Sequence, residues 1–158
     1  MKLKNDNINQ IIKKTIVISP KTSLLDARAI LLKHRISRLI ISEKDRPVGI
    51  LTEKDLVKSI YRIDAKPLEA SRVSEVMSKD LVTVQQETTL SDCAKIMLDN
   101  KISSVIVLKK DKTLSGIITK TDLASVFLTQ ATGQLPVSKI MTKNVITVKP
   151  ADSLLYVE

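Results

Sequence analysis

The chain has 158 residues, 43% of them apolar, which is enough for one or two small domains with a buried core. Its 26 Lys and Arg against 17 Asp and Glu give a net charge of +9, but two Tyr, one Phe and no Trp offer little to stack on nucleic-acid bases. Three Gly and one Cys argue against a glycine-rich phosphate loop, an internal disulfide and a multi-cysteine metal cluster. The polar amino terminus and the lack of a long apolar run predict a cytoplasmic protein with no membrane insertion.

The first half of the chain predicts elements in the order β-α-β-β-α. They are a strand at 16–18, a helix ending near His34, strands at 39–42 and 48–51, and a helix after Thr52. Ser23-x-x-Asp26 and Thr52-x-x-Asp55 have the spacing of helix amino-terminal caps. Continuous apolar strands indicate sheets that helices cover on at least one face.

The second half repeats the first, because residues 22–56 match residues 88–123 with one inserted residue. The identical positions include Leu24/Leu90, Asp26/Asp92, Ile36/Ile102, Gly49/Gly116 and Asp55/Asp122. The second copy predicts a strand at 82–84, a helix at 89–100, strands at 105–108 and 115–118, and a helix at 120–128. One copy alone would leave an apolar sheet face exposed. We therefore expect an α+β fold of two β-α-β-β-α repeats packed about a pseudo-twofold axis, with two related clefts between them.

The sequence also opens a third copy. Residues 137–150, VSKIMTKNVITVKP, resemble residues 73–86, VSEVMSKDLVTVQQ, which lead into the first strand of the second repeat. We therefore predict a first repeat with a helical lead-in at 1–66, a second repeat at 67–132, and the truncated start of a third repeat, with an unpaired strand, at 133–158. The expectation is a fragment of a longer protein.

No catalytic constellation is predicted, and we expect a protein that is not an enzyme. His34 is the only histidine and stands beside Arg35 at a helix end, which is typical of a solvated surface residue. Cys93 takes the place of Ala27 in the repeat, which favours a small buried residue over a nucleophile.

A motif at the junction of strand and helix is the strongest functional signal. It reads Gly49-Ile-Leu-Thr52-Glu-Lys-Asp55 and returns as Gly116-Ile-Ile-Thr119-Lys-Thr-Asp122. Helix amino termini attract phosphate, a Thr hydroxyl is a donor, and an Asp carboxylate accepts both hydroxyls of a ribose. The same residues also form a capping box that satisfies only its own backbone. Spacing alone leaves both interpretations open.

The chain resembles CBS domains over nearly its whole length. The resemblance rests on the repeat, its β-α-β-β-α order, the Gly-x-x-Thr-x-x-Asp ending and the Val-Met-Ser-x-x-Leu-Val-Thr-Val opening at residues 76–84. The resemblance implies a tandem pair, or Bateman module, that binds adenosine-containing ligands such as AMP, ADP, ATP or S-adenosylmethionine and regulates an attached or partner protein. It implies no obligatory cofactor and no metal. It also implies a homodimer, or pairing with a second CBS pair.

The resemblance assigns ligand-binding residues to each cleft. Asp55 or Asp122 resembles the ribose acceptor, and the adenine wall comes from the other repeat. The first cleft is expected to combine Thr52, Asp55 and Arg38, the phosphate arginine, with Ser78, Val82 and Ile102. The second cleft is expected to combine Thr119, Asp122 and Ser104 with Lys14, Ile16 and Ile36. It is expected to bind more weakly, or to prefer a less charged adenosine ligand, because Ser104 replaces the arginine.

Two other functions are weighed against nucleotide sensing. One is a structural dimerisation or interaction module in which the Thr-x-x-Asp pairs are only caps. The other is nucleic-acid binding by the basic surface, and the small number of aromatic residues argues against it. Residues 1–72 hold 16 Lys and Arg and 8 Asp and Glu, or +8, while residues 73–158 hold 10 and 9, or +1. This division favours a phosphate-attracting side of one cleft over a general polyanion surface.

Overall fold

The computed structural model describes residues 7–60, 67–130 and 136–153. The first repeat contains β1 (Val17–Ile18), α1 (Leu24–His34), β2 (Arg38–Glu43), β3 (Arg46–Thr52) and α2 (Glu53–Ile60). The second contains β4 (Thr83–Gln85), α4 (Leu90–Asp99), β5 (Ser104–Leu108), β6 (Leu114–Thr119) and α5 (Lys120–Gln130), preceded by the short helix α3 (Val73–Val76). Short 3-10 turns lie at Ile8–Ile11 and Val137–Lys139. The predicted β-α-β-β-α order is confirmed in both repeats.

Each repeat builds one three-stranded sheet with the same topology. The first strand runs parallel to the second, and the second pairs antiparallel with the third, in the orders β1-β2-β3 and β4-β5-β6. A register shift interrupts the second pairing at the equivalent place, after Ile41 and after Val107. The first helices are capped as predicted, because Ser23 Oγ accepts the amide of Asp26 at 3.0 Å.

Alternation along the middle strands gives each sheet two buried faces. Leu39 and Ile41 of β2 point into the core of the first repeat, while Ile40 between them faces the other sheet. Along β5, Ile106 likewise faces the other sheet from between two residues of the second core. Ile40, Ile106 and Ile117 form a cluster between the sheets, which we call the central cluster. The strands are continuously apolar because both of their faces are covered.

The segment that leads into each repeat packs on the other repeat. The first lead-in, residues 7–16, places Ile8 in the second core, and the amide of Ile8 donates to the carbonyl of Thr88 at 3.1 Å. The second lead-in, residues 67–82, places Val73 in the first core, and the amide of Val73 donates to the carbonyl of Thr22 at 2.9 Å. The sequence repeats are therefore not the packing units, because each core is completed by the partner's lead-in.

Residues 136–153 differ from the second lead-in that they resemble. They hold the turn Val137–Lys139 and no strand, and every residue of this stretch is exposed. Apolar residues here include Ile146, which is 95% exposed, whereas Val84 of the second repeat is 5% exposed. The expected strand is not formed here, because residues 136–153 pair with none of the strands of the two sheets.

Exchange of the lead-ins predicts that Ile8 stabilises the chain although it lies near the amino terminus. Ile8→Ala removes a fully buried side chain from the second core, so we expect the free energy of unfolding to fall by about 2–5 kcal/mol. The matched control is Ile146→Ala, the same substitution at a residue that is 95% exposed, which should change it by no more than about 0.5 kcal/mol. Urea denaturation measures both, and equal small changes would contradict the exchange.

Candidate functional site

Each cleft is built around a Thr–Asp pair where the last strand of a sheet passes directly into a helix. In the first repeat, Asp55 Oδ2 accepts hydrogen bonds from the amide of Thr52 at 2.9 Å and from its hydroxyl at 2.7 Å. In the second repeat, Asp122 Oδ2 accepts the same two bonds from Thr119 at 2.8 and 2.6 Å. Both carboxylates are thereby held at a helix amino terminus, and each has a second oxygen, Oδ1, that this pairing does not use.

The first cleft is a cavity of about 590 Å³ lined by both repeats. It brings together all six residues assigned to it: Arg38, Thr52, Asp55, Ser78, Val82 and Ile102. Sequence reasoning missed several further lining residues, among them Ile50, Glu53, Lys54, Asp80, Lys101 and Ile106. Some of these could have been found from alternation in the strands, because Ile50 and Ile106 lie on sheet faces that turn towards the other repeat.

The second cleft is smaller, with a volume of about 360 Å³. It holds five of its six assigned residues: Lys14, Ile16, Ile36, Thr119 and Asp122. It also holds Lys13, Arg35 and Arg38, which were not assigned to it.

Two placements differ from the expectation. Ser104 lines the first cleft instead of the second, and Arg38 lines both clefts. Arg38 begins β2, and its guanidinium donates to Ser103 Oγ at 3.3 Å, so the starts of β2 and β5 lie close together. A long side chain at this point reaches either cleft, and the second cleft does not lack an arginine.

Charge is distributed unevenly between the clefts. The first is lined by three cations and three anions: Arg38, Lys54, Lys101, Glu53, Asp55 and Asp80. The second is lined by four cations and one anion: Lys13, Lys14, Arg35, Arg38 and Asp122. All four cations of the second cleft come from the first repeat, because the exchanged lead-in carries Lys13 and Lys14 onto the second sheet.

An ion pair closes one corner of the second cleft. Lys13 Nζ lies 2.5 Å from Asp122 Oδ1, and the Asp122 side chain is 5% exposed. Burial by itself would raise the pKa of Asp122, but hydrogen bonds from Lys13 and Thr119 and the charge of Lys13 outweigh it, so the pKa lies below its usual value. Burial lowers the pKa of Arg38, against the attraction of Asp122 and Glu53.

The histidine and the cysteine lie where the sequence predicts. His34 is exposed at the end of α1. Cys93 is fully buried, and burial raises the pKa of its thiol to about 11, which keeps it protonated. Among the described residues, no three His, Cys, Asp or Glu side chains are grouped so as to hold a metal ion. None of the helices in the described ranges combines the length and apolar character needed to cross a bilayer.

Comparison with known proteins points to one family. The sequence model of the CBS domain family matches residues 8–62 and 73–129 of this chain. An uncharacterized 17.7 kDa protein of Acidianus ambivalens is 32% identical over 116 residues, which are 73% of this chain and 68% of that protein. Two further curated relatives are 28% and 26% identical, and the chain spans 37% and 64% of their length.

Solved structures share the fold. Protein MJ1225 from Methanocaldococcus jannaschii is 26% identical with a TM-score of 0.72, over 78% of this chain and 48% of that one. The CBS domain pair of protein MJ0100, in complex with 5′-methylthioadenosine and S-adenosyl-L-methionine, is 25% identical with a TM-score of 0.70, over 79% of this chain and 98% of that one. The two-sheet architecture is thus shared along most of the described residues.

Proposed function

Because the chain belongs to the CBS domain family, we propose that its two repeats form a regulatory module that senses an adenosine-containing ligand in the first cleft. The observation that carries this proposal is that Asp55 lines a cavity of about 590 Å³ and that its second carboxylate oxygen has no hydrogen-bond partner among the described residues. The complex of the MJ0100 domain pair with 5′-methylthioadenosine and S-adenosyl-L-methionine supports an adenosine ligand.

The lining of the first cleft suits the parts of such a ligand. A ribose diol donates hydrogen bonds, and Asp55 accepts them through Oδ1 while Thr52 holds Oδ2. The apolar residues Val82, Ile102 and Ile106 offer a wall for the flat, weakly polar adenine ring. Arg38 is the cation placed to meet a phosphate or another anionic group.

A ligand in this cleft would couple the two repeats. Asp55 belongs to the first repeat, while Val82 and Ile102 belong to the second, so one molecule contacts both. The amide and carbonyl of Ser78 pair with Ile50 at 2.9 and 3.0 Å along one side of the cleft. A ligand that fits one relative placement of the sheets better than another shifts the population towards it, and this is the regulatory signal.

We also propose that the module associates, as a homodimer or with a second CBS pair. Several helices carry exposed large apolar side chains on their outer surface, namely Leu25, Leu32, Val57, Leu98, Phe127 and Leu128. Their burial in a contact between helices would remove apolar surface from water.

The stretch 133–158 is proposed as the start of a third repeat. In the second lead-in, Val73 is fully buried and Val84 is 5% exposed. Their counterparts in sequence, Val137 and Val148, are 71% and 46% exposed. The same apolar pattern is thus buried at residues 73–86 and exposed at residues 137–150. This difference is explained if residues 137–150 pack on a further repeat.

Ligand binding in the first cleft predicts that Asp55→Ala strongly weakens the binding of an adenosine ligand. Each hydrogen bond to a carboxylate contributes about 1.5–3 kcal/mol, so losing two should weaken binding about 100-fold or more. Titration calorimetry with AMP, ATP and S-adenosylmethionine measures this. Native mass spectrometry of freshly purified protein adds the mass of any retained ligand and the number of copies.

The matched control is Asp122→Ala, which removes the same Thr–Asp contact from the second repeat and leaves the first cleft intact. Binding in the first cleft should survive in this variant. If the wild type binds none of the three ligands, while Thr52→Ala and Thr119→Ala only destabilise the helices, the pairs are caps and the module is structural.

The position of Arg38 in the first cleft predicts that affinity depends on the charge of the ligand. Arg38→Gln removes a charge-assisted contact, so AMP should bind about 10- to 100-fold more weakly, as expected for about 1.5–3 kcal/mol. Adenosine lacks a phosphate and should bind the variant and the wild type within about threefold of each other. Calorimetry with both ligands separates the effects, and an equal loss for adenosine would show that Arg38 supports the fold of the cleft instead.

The third-repeat proposal predicts unequal effects of one substitution at two equivalent positions. Val84→Ala should lower the free energy of unfolding by about 1–3 kcal/mol, because Val84 is buried in the second core. Val148→Ala should change it by no more than about 0.5 kcal/mol. Equal losses in thermal or urea denaturation would mean that residues 136–153 pack on the two repeats already present, and a further repeat would not be needed.

A further inference from the structure

The two clefts differ in what contacts the aspartate. Asp55 and Asp122 each hold a Thr through Oδ2 in nearly the same geometry. The Oδ1 of Asp122 is also held, by the ammonium of Lys13 at 2.5 Å. Asp55 has no such cation among the described residues. The oxygen that would accept a ribose is therefore available in the first cleft and occupied in the second.

The difference arises because Lys13 and Ser78 occupy equivalent backbone positions in the two halves of the molecule. Lys13 pairs with Ile117 through two backbone hydrogen bonds of 3.1 and 3.0 Å. Ser78 pairs with Ile50 in the same way in the other half of the molecule. A lysine thus stands at the corner of the second cleft where the first cleft has a serine. The smaller volume of the second cleft, about 360 against 590 Å³, is consistent with the longer side chain.

The position of Lys13 is fixed by close packing of the lead-in against β6. A Cβ atom at Gly116 would overlap the carbonyl oxygen of Lys13, so the glycine permits this approach. The Lys13 side chain is 70% exposed, while the Asp122 side chain that it contacts is 5% exposed. A buried carboxylate that loses its cation is left with an unmatched charge, which opposes the departure of Lys13.

We propose that Lys13 is a specificity-determining residue that closes the second cleft to ribose, so that each chain binds one adenosine ligand. The inference rests on the proposed function of the first cleft. A neutral hydroxyl is a weaker donor to a carboxylate than an ammonium, so a ribose diol does not displace Lys13 at ligand concentrations that fill the first cleft. One side chain, that of Lys13, thus excludes ribose from the second cleft, although the Thr–Asp pair and helix amino terminus of this cleft match those of the first.

The test is the variant Lys13→Ser, which places the residue of the first cleft at the corner of the second. Titration calorimetry uses adenosine and 5′-methylthioadenosine, neutral ligands that make no phosphate contact with a lysine. The wild type should bind one molecule per chain, and Lys13→Ser should bind two. The double variant Lys13→Ser/Asp55→Ala should bind one, now in the second cleft.

Lys33→Ser is the matched control, because Lys33 is exposed on α1 and lines neither cleft, while its loss changes the net charge equally. This variant should keep a stoichiometry of one. Two sites in the wild type, or one site in Lys13→Ser, would overturn the role of Lys13 and leave the proposed function standing.

A measurement without ligand distinguishes failure of the Lys13 proposal from failure of the proposed function. Carboxyl NMR titration should show a pKa of Asp122 below its usual value in the wild type and in Lys33→Ser, and a higher one in Lys13→Ser. An unchanged pKa in Lys13→Ser overturns the ion pair whatever binds. If neither the wild type nor Lys13→Ser binds a nucleoside, the proposed function fails and one-site binding fails with it, while a shifted pKa shows that the ion pair itself is real.

Discussion

Neither repeat can close its own hydrophobic core, and the rest of the architecture depends on how the two repeats solve this together. Ile8 fills the second core from the first lead-in, and Val73 fills the first core from the second. The two halves are therefore bound by apolar burial in each core as well as by the central cluster between the sheets. A change that loosens one lead-in must disturb the core of the other repeat, so the pair is expected to be stable only as a unit.

The same exchange creates the clefts. Each lead-in passes the end of the opposite sheet just before it enters its own first strand, and the residue at that crossing, Ser78 or Lys13, stands at the corner of a cleft. The aspartate comes from one repeat and the apolar wall from the other. A ligand that bridges them acts on the contact between the repeats, which is why a duplicated domain is suited to regulation through small shifts in packing.

Local signals in the sequence predicted local structure well. The order of elements, the cap at Ser23 and the burial of Cys93 each depend on residues close in the chain or equivalent in the repeat, and each is confirmed. The sequence was a poorer guide to which cleft a residue lines, because both repeats contribute to each cleft. Ser104 and Arg38 lie where the starts of β2 and β5 approach one another, and which cleft they line depends on side-chain length and sheet packing that no spacing encodes.

The register of the first lead-in was ambiguous for a related reason. Lys13 and Lys14 are neighbours in sequence, and only the pairing of Lys13 with Ile117 decides which of them faces Asp122. A strand that shifts by one residue turns the other side chain to the cleft. Because this pairing is between repeats, it becomes visible only once both sheets are in place.

The Thr–Asp motif allowed two interpretations, a helix cap or a ligand site, and the geometry makes them compatible. The cap uses one carboxylate oxygen, and the other remains for a further donor. In the second cleft that donor is Lys13, and in the first we propose that it is a ribose. Duplication followed by one change at the lead-in can thus preserve the fold of both repeats, because the cap is untouched, while removing ligand binding from one of them.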